Sequence, residues 1–139
     1  MPFAAHGDFA LRQEGRLLMS DLTGPWNLEL VDRYRVEVAP HVARLAAGGP
    51  WAQIAVCHRS VLAPQDALQA LADSARLLAG QYHRVAIAYV LPPEVEGHGI
   101  MESVFDRLYK GFQAVACFDA LAPACAWALA QVDAARPRG

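Results

Sequence analysis

The residues with the most chemical capability in this sequence are Cys57-His58, a thiol beside an imidazole, and His98, set between glycines in Gly97-His98-Gly99. A thiol and an imidazole within hydrogen-bond reach make a nucleophile and its base. Adjacent residues at a strand end point to opposite faces, so Cys57 and His58 do not readily meet, and His98 would have to supply the base. A cysteine closing an apolar strand reads as a small core hydrophobe rather than a reactive thiolate. Cys57, His58 and His98 are also the only rim set of metal-ligating types, in no spacing that metal sites use, and no metal is expected. Glu94 and Glu96 fall in a Pro-rich loop, where a pair of exposed carboxylates is ordinarily solvated. Gly97-His98-Gly99 could leave N–H groups free for an anion, with Arg59 adding a planar donor. It matches neither GxxxxGK[ST] nor GxGxxG and reads as a helix-entry turn. Without a converging nucleophile, base and oxyanion donor set, no catalytic residue and no cofactor are expected.

These residues are positioned by an alternation of strands and helices. Phe9 to Gln13 and Arg16 to Leu22, separated by Glu14-Gly15, read as an opening antiparallel hairpin that turns at Gly24-Pro25. Asn27 is a good cap for a first helix in which Leu28, Val31, Tyr34, Val38, Val42 and Leu45 recur at helical spacing. Pro40 predicts a bend or break near His41, and Gly48-Gly49-Pro50 ends the helix. Trp51 to Cys57 is a third strand and Pro64 to Gly80 a second helix. Val85 to Leu91 is apolar without alternation, as for a parallel strand in the middle of the sheet. Ile100 to Gly111 forms a third helix whose stripe of Met101, Val104, Phe105, Leu108 and Phe112 reads as core. Ala114 to Phe118 is a fifth strand. Ala124 to Val132 is a last helix, capped by Asp119 or opened by Pro123, with residues 133–139 as a tail. The whole is one α/β domain, an N-terminal β-hairpin leading into a mostly parallel five-stranded sheet flanked by four helices, β-β-α-β-α-β-α-β-α.

Composition narrows the function classes. The chain has 139 residues, a size that makes one core rather than two. A formal net charge of -2 offers no field for nucleic acid or anionic lipid. No stretch approaches the roughly 18 apolar residues of a membrane span. The start, Met1-Pro2-Phe3-Ala4-Ala5-His6-Gly7-Asp8, lacks the basic and apolar run of a secretory signal, and with three widely spaced cysteines it points to reduced thiols and a cytoplasmic location. With 55% hydrophobic and only 19% charged residues some apolar surface is expected, which favours a homodimer.

Gly24-Pro25-Trp26-Asn27-Leu28-Glu29 entering the first helix, Pro50-Trp51 entering the third strand, Arg59 after it, Pro64 opening the second helix and Phe118-Asp119 before an Ala-rich helix with Trp127 form a pattern. From Asp8 to Val132 it resembles the SpoIIAA-like proteins, relatives of STAS anti-sigma factor antagonists and of the lipid-binding CRAL-TRIO (Sec14) fold class. The resemblance implies a non-catalytic regulatory or interaction module that binds a protein partner. Where many relatives carry Asp-x-Arg after the third strand, this chain has Cys57-His58-Arg59. The phosphorylatable serine of the antagonists is also missing, since that stretch reads Ala63-Pro64-Gln65-Asp66-Ala67 and Ser60 is misplaced for the role.

In open α/β sheets ligands bind beyond the carboxyl ends of the parallel strands. That rule selects Trp26, His58, Arg59, Ser60, Glu94, His98 and Asp119 as a ligand- or partner-binding rim. Trp26, with Trp51 and Trp127, also flanks an element and reads as core or core-rim. Arg59 is expected either to pair with Asp119 or Glu94 as a structural clasp or to hold an anionic group of a partner. One alternative is binding or sensing of a small apolar, lipid-like ligand, with the third helix and its glycine loop as a lid. Another is a small enzyme using Cys57 or His98.

Overall fold

β1 (Asp8–Glu14) and β2 (Leu17–Thr23) form the opening hairpin, turning at Gly15-Arg16, where Gly15 takes φ 56°. A left-handed residue suits a tight hairpin turn, and glycine adopts it without a Cβ penalty. This computed structural model describes residues 7–137, so Met1 to His6 and the last two residues of the expected tail lie outside it. α1 (Leu28–Ala47), β3 (Trp51–His58), α2 (Gln65–Gln81), β4 (Arg84–Val90), α3 (His98–Tyr109), β5 (Ala114–Phe118) and α4 (Leu121–Ala135) follow in the expected order. Strand order equals chain order, and every pairing after the hairpin is parallel.

Crossovers of one hand between strands added in one direction carry their helices to one face of the sheet. Accordingly Leu30 of α1, Leu68 and Ala75 of α2, and Met101, Phe105 and Tyr109 of α3 pack with Ala55, Cys57, Ile87 and Tyr89 in one cluster. α4 follows the last strand and returns over the other face, where Ala124, Ala128 and Val132 cover Ala52, Ile54, Ala86 and Ala88. Small residues on both sides let this helix sit close to the sheet. Its outer side carries exposed Leu121 and Leu129.

Several expectations need correction. β3, not β4, is the middle strand; β4 is second from the edge, and it reads as uniformly apolar because helices pack on both of its faces. α1 runs through Pro40 without a break. Pro40 is exposed, and so is Val36, whose carbonyl loses its partner, so water can take that hydrogen bond. The N-cap of α4 is Ala120, without a side-chain hydrogen bond. Asp119 therefore precedes the cap, and Pro123 sits third in the helix, still in the first turn where its missing N–H costs nothing. α4 also extends to Ala135, so the expected tail begins as helix. Among the described residues no helix is long and apolar enough to cross a membrane.

Candidate functional site

The parallel strands finish at one level, with Thr23 opposite His58, Val56 opposite Val90, and Val90 opposite Phe118. His58, Arg59, Ser60, Glu94, His98 and Asp119 therefore all emerge at the same end of the sheet. Two pairs form there: His58 Nε2 lies 2.9 Å from Asp21 Oδ1, and His98 Nε2 lies 3.8 Å from Asp119 Oδ1. Ser60 is buried and donates to Glu96 Oε1 at 2.8 Å, tying the loop after β3 to the loop after β4. Backbone bonds from Glu96 N to the Arg59 carbonyl and from Val61 N to the Glu96 carbonyl reinforce that tie. Glu94 stays exposed.

Arg59 does not form the expected clasp. It makes no ion pair with Asp119 or Glu94 among the described residues; the two loops are joined instead by Ser60, Glu96 and the backbone. Arg59 has φ 65°, and the Ser60 N–H donates across it to the His58 carbonyl at 2.8 Å, a γ-turn built on positive φ. Such turns are uncommon and strained for a residue with a Cβ, and here the turn leaves the side chain exposed. Trp26 departs from the other six, being only 4% exposed and packed against Phe105 with ring centroids 6.4 Å apart.

Cys57 is buried on the face covered by α1, α2 and α3 and donates weakly to the Ala55 carbonyl at 3.6 Å, while His58 is exposed. Burial pushes the Cys57 thiol up, with Cys117 adding to the effect. A thiol held protonated in the core is not a nucleophile at neutral pH. Burial likewise pushes Cys117 up to about 12, helped by Glu102 and Asp106. Among the described residues no three His, Cys, Asp or Glu side chains converge as metal ligands.

The polar groups with the most unusual surroundings lie inside the fold. Gln53, in the middle strand, donates through Nε2 to Ser20 Oγ at 3.1 Å and Tyr34 Oη at 2.7 Å. Its Oε1 accepts from Arg84 Nη1 at 2.8 Å, and Arg84 Nε donates to Gln113 Oε1 at 2.7 Å. Arg84 is 4% exposed, and its Nη2 has no partner among the described residues. Tyr89 and Tyr109 share a hydrogen bond of 2.6 Å between their hydroxyls. Gln53, Arg84, Tyr34, Tyr89 and Tyr109 line a cavity of about 40 Å³, together with Trp26, Ser74 and the aliphatic side chains of Leu30, Val31, Leu71 and Ile87. The indole Nε1 of Trp26 is buried and also lacks a partner among the described residues.

Sequence reasoning missed Gln53, Arg84 and their partners because it looked beyond the carboxyl ends of the strands. Arg84 opens β4, at the opposite end. A usable signal was present: a glutamine amid Trp51-Ala52-Gln53-Ile54-Ala55, and an arginine heading the apolar Val85 to Leu91, are polar groups that burial obliges to find partners. No family model matches the chain, and neither does any curated protein or any solved structure.

Proposed function

We propose that this chain is a non-catalytic binding module of the SpoIIAA-like (STAS-type) fold, and that it holds a small, largely apolar ligand in the cavity beneath α1, α2 and α3. One observation carries the reading: Trp26 and Arg84 line the same cavity, and each keeps a buried N–H group, Nε1 and Nη2, without an acceptor among the described residues. Folded proteins leave few buried donors unpaired, and a ligand that brings acceptors into an apolar pocket would supply what is missing. The hairpin entry and the element order support the fold assignment. The buried, protonated Cys57 thiol supports the non-catalytic reading. The test is a titration of isotope-labelled protein with small aromatic and aliphatic compounds, following the indole N–H resonances. The Trp26 resonance should shift saturably, while that of Trp51, whose Nε1 already donates to the Tyr82 carbonyl, stays in place. Shifts confined to surface residues would count against the reading.

A second reading, a protein partner bound at the rim, is favoured by Arg59: a strained turn presents its guanidinium to solvent without a carboxylate partner among the described residues. Strain of this kind collects at binding sites. A photo-reactive residue replacing Arg59 should give one discrete cross-linked species in cells, and the same residue replacing Val36, exposed on α1, should not. Identical cross-linking from both positions would remove the support.

A further inference from the structure

We infer that the cavity is selective for a small monocarboxylate, whose carboxylate binds the Arg84 guanidinium while its short apolar body lies among the aliphatic residues of the lining. The inference rests on the cavity reading above and adds the charge and size of the occupant. Both acceptors that Arg84 has, Gln53 Oε1 and Gln113 Oε1, are neutral amides. No ion pair to Arg84 exists among the described residues. A buried charge without a counter-charge is costly, and guanidinium is the side chain best shaped to hold a carboxylate. The neighbouring hydroxyls do not supply the anion. Burial pushes Tyr34, Tyr89 and Tyr109 upward, against the opposing charge of Arg84, so all three stay neutral near pH 7.

Size follows from the cavity. A single water occupies roughly 10–15 Å³, so about 40 Å³ suits a compact molecule rather than a long acyl chain. Elsewhere the lining includes Leu30, Val31, Leu71, Ala75 and Ile87, which offer dispersion contacts and no second charge.

Butyrate and butyramide share shape and volume and differ in charge, so titrating the wild-type protein with each isolates the guanidinium's part. Butyrate should bind at least about tenfold more tightly, as hydrogen bonds to a charged group are stronger than those between neutral groups. Both ligands should shift the Trp26 indole resonance. Gln53→Glu would place a carboxylate against Arg84 Nη1 at the existing 2.8 Å contact. It should weaken butyrate about tenfold or more. Equal affinities of the wild type for the two compounds, or undiminished butyrate binding by Gln53→Glu, would overturn the carboxylate assignment and leave the cavity reading standing. If neither butyrate nor butyramide, nor the compounds of the earlier titration, moves the Trp26 resonance, both readings fall. Should Gln53→Glu fail to fold, the wild-type comparison alone decides between charged and neutral occupants.

Discussion

Replacing Tyr89 and Tyr109 by phenylalanine, singly and together, should give a strongly non-additive stability cycle. The two hydroxyls are 2.6 Å apart, and both residues are buried. The Tyr89 ring lies flat on Phe105, with centroids 3.9 Å apart and planes 2° from parallel, so phenylalanine at 89 keeps the stack and removes only an oxygen. Either single substitution leaves the other hydroxyl in the core without its partner, which costs about 1–3 kcal/mol. The double substitution removes donor and acceptor together, and its cost should fall to about 1 kcal/mol or less. With singles near 2 kcal/mol each, the coupling is about 3 kcal/mol, several times the roughly 0.3–0.5 kcal/mol scatter of independent sites. Urea titrations followed by tryptophan fluorescence and circular dichroism measure all four proteins at pH 7. A double variant whose loss equals the sum of the singles within about 0.5 kcal/mol would refute the hydroxyl pair as an isolated buried interaction.

Other consequences are open to direct measurement. Stability should fall as pH rises above about 9: in the unfolded chain thiols and phenols lose protons near 9 and 10, whereas burial keeps Cys57, Cys117, Tyr34, Tyr89 and Tyr109 protonated to higher pH. The unfolded state then binds fewer protons, and each such group removes about 1.4 kcal/mol per pH unit until its folded-state value is passed. Urea midpoints unchanged between pH 8 and pH 11 would contradict this. Val90→Asp should abolish cooperative unfolding, because Val90 is buried against α4 and the new carboxylate would find no cation there; a soluble variant with a sharp thermal transition would show otherwise. Arg59→Ala should change stability by no more than about 0.5 kcal/mol, since the side chain is exposed and joins no ion pair among the described residues. A loss above about 1 kcal/mol by denaturant titration would reveal a clasp after all.

Most of the nine elements among the described residues were legible because they are punctuated. Gly15, Gly24-Pro25, Gly48-Gly49-Pro50, Pro64 and Gly97 stand at the boundaries, and Asn27 caps α1 by accepting from the Leu30 N–H at 3.0 Å. Strand order was less so. An apolar strand buried on both faces looks the same whether it is third or fourth across a sheet, which is why β4 was expected in the middle. Arg59 was expected to pair because carboxylates stand near it in the topology; its turn conformation, which decides where the side chain goes, leaves no mark in residue type. The cavity was not legible, since polar members such as Tyr34, Gln53, Ser74, Arg84 and Tyr109 come from α1, β3, α2, β4 and α3, and no local pattern joins them.

Because the strands lie across the sheet in the order in which they are made, a nascent chain can build the sheet one strand at a time without leaving a gap for a later segment to fill. On such a schedule β4 arrives carrying Arg84 when Gln53 is already in place, but Gln113 is still to come. Until the last strand docks, the guanidinium has one amide acceptor rather than two, and the edge of β4 is open. Completion of the sheet and containment of the charge are therefore one event in the life of the chain, brought about by the same short segment around Gln113 and Ala114.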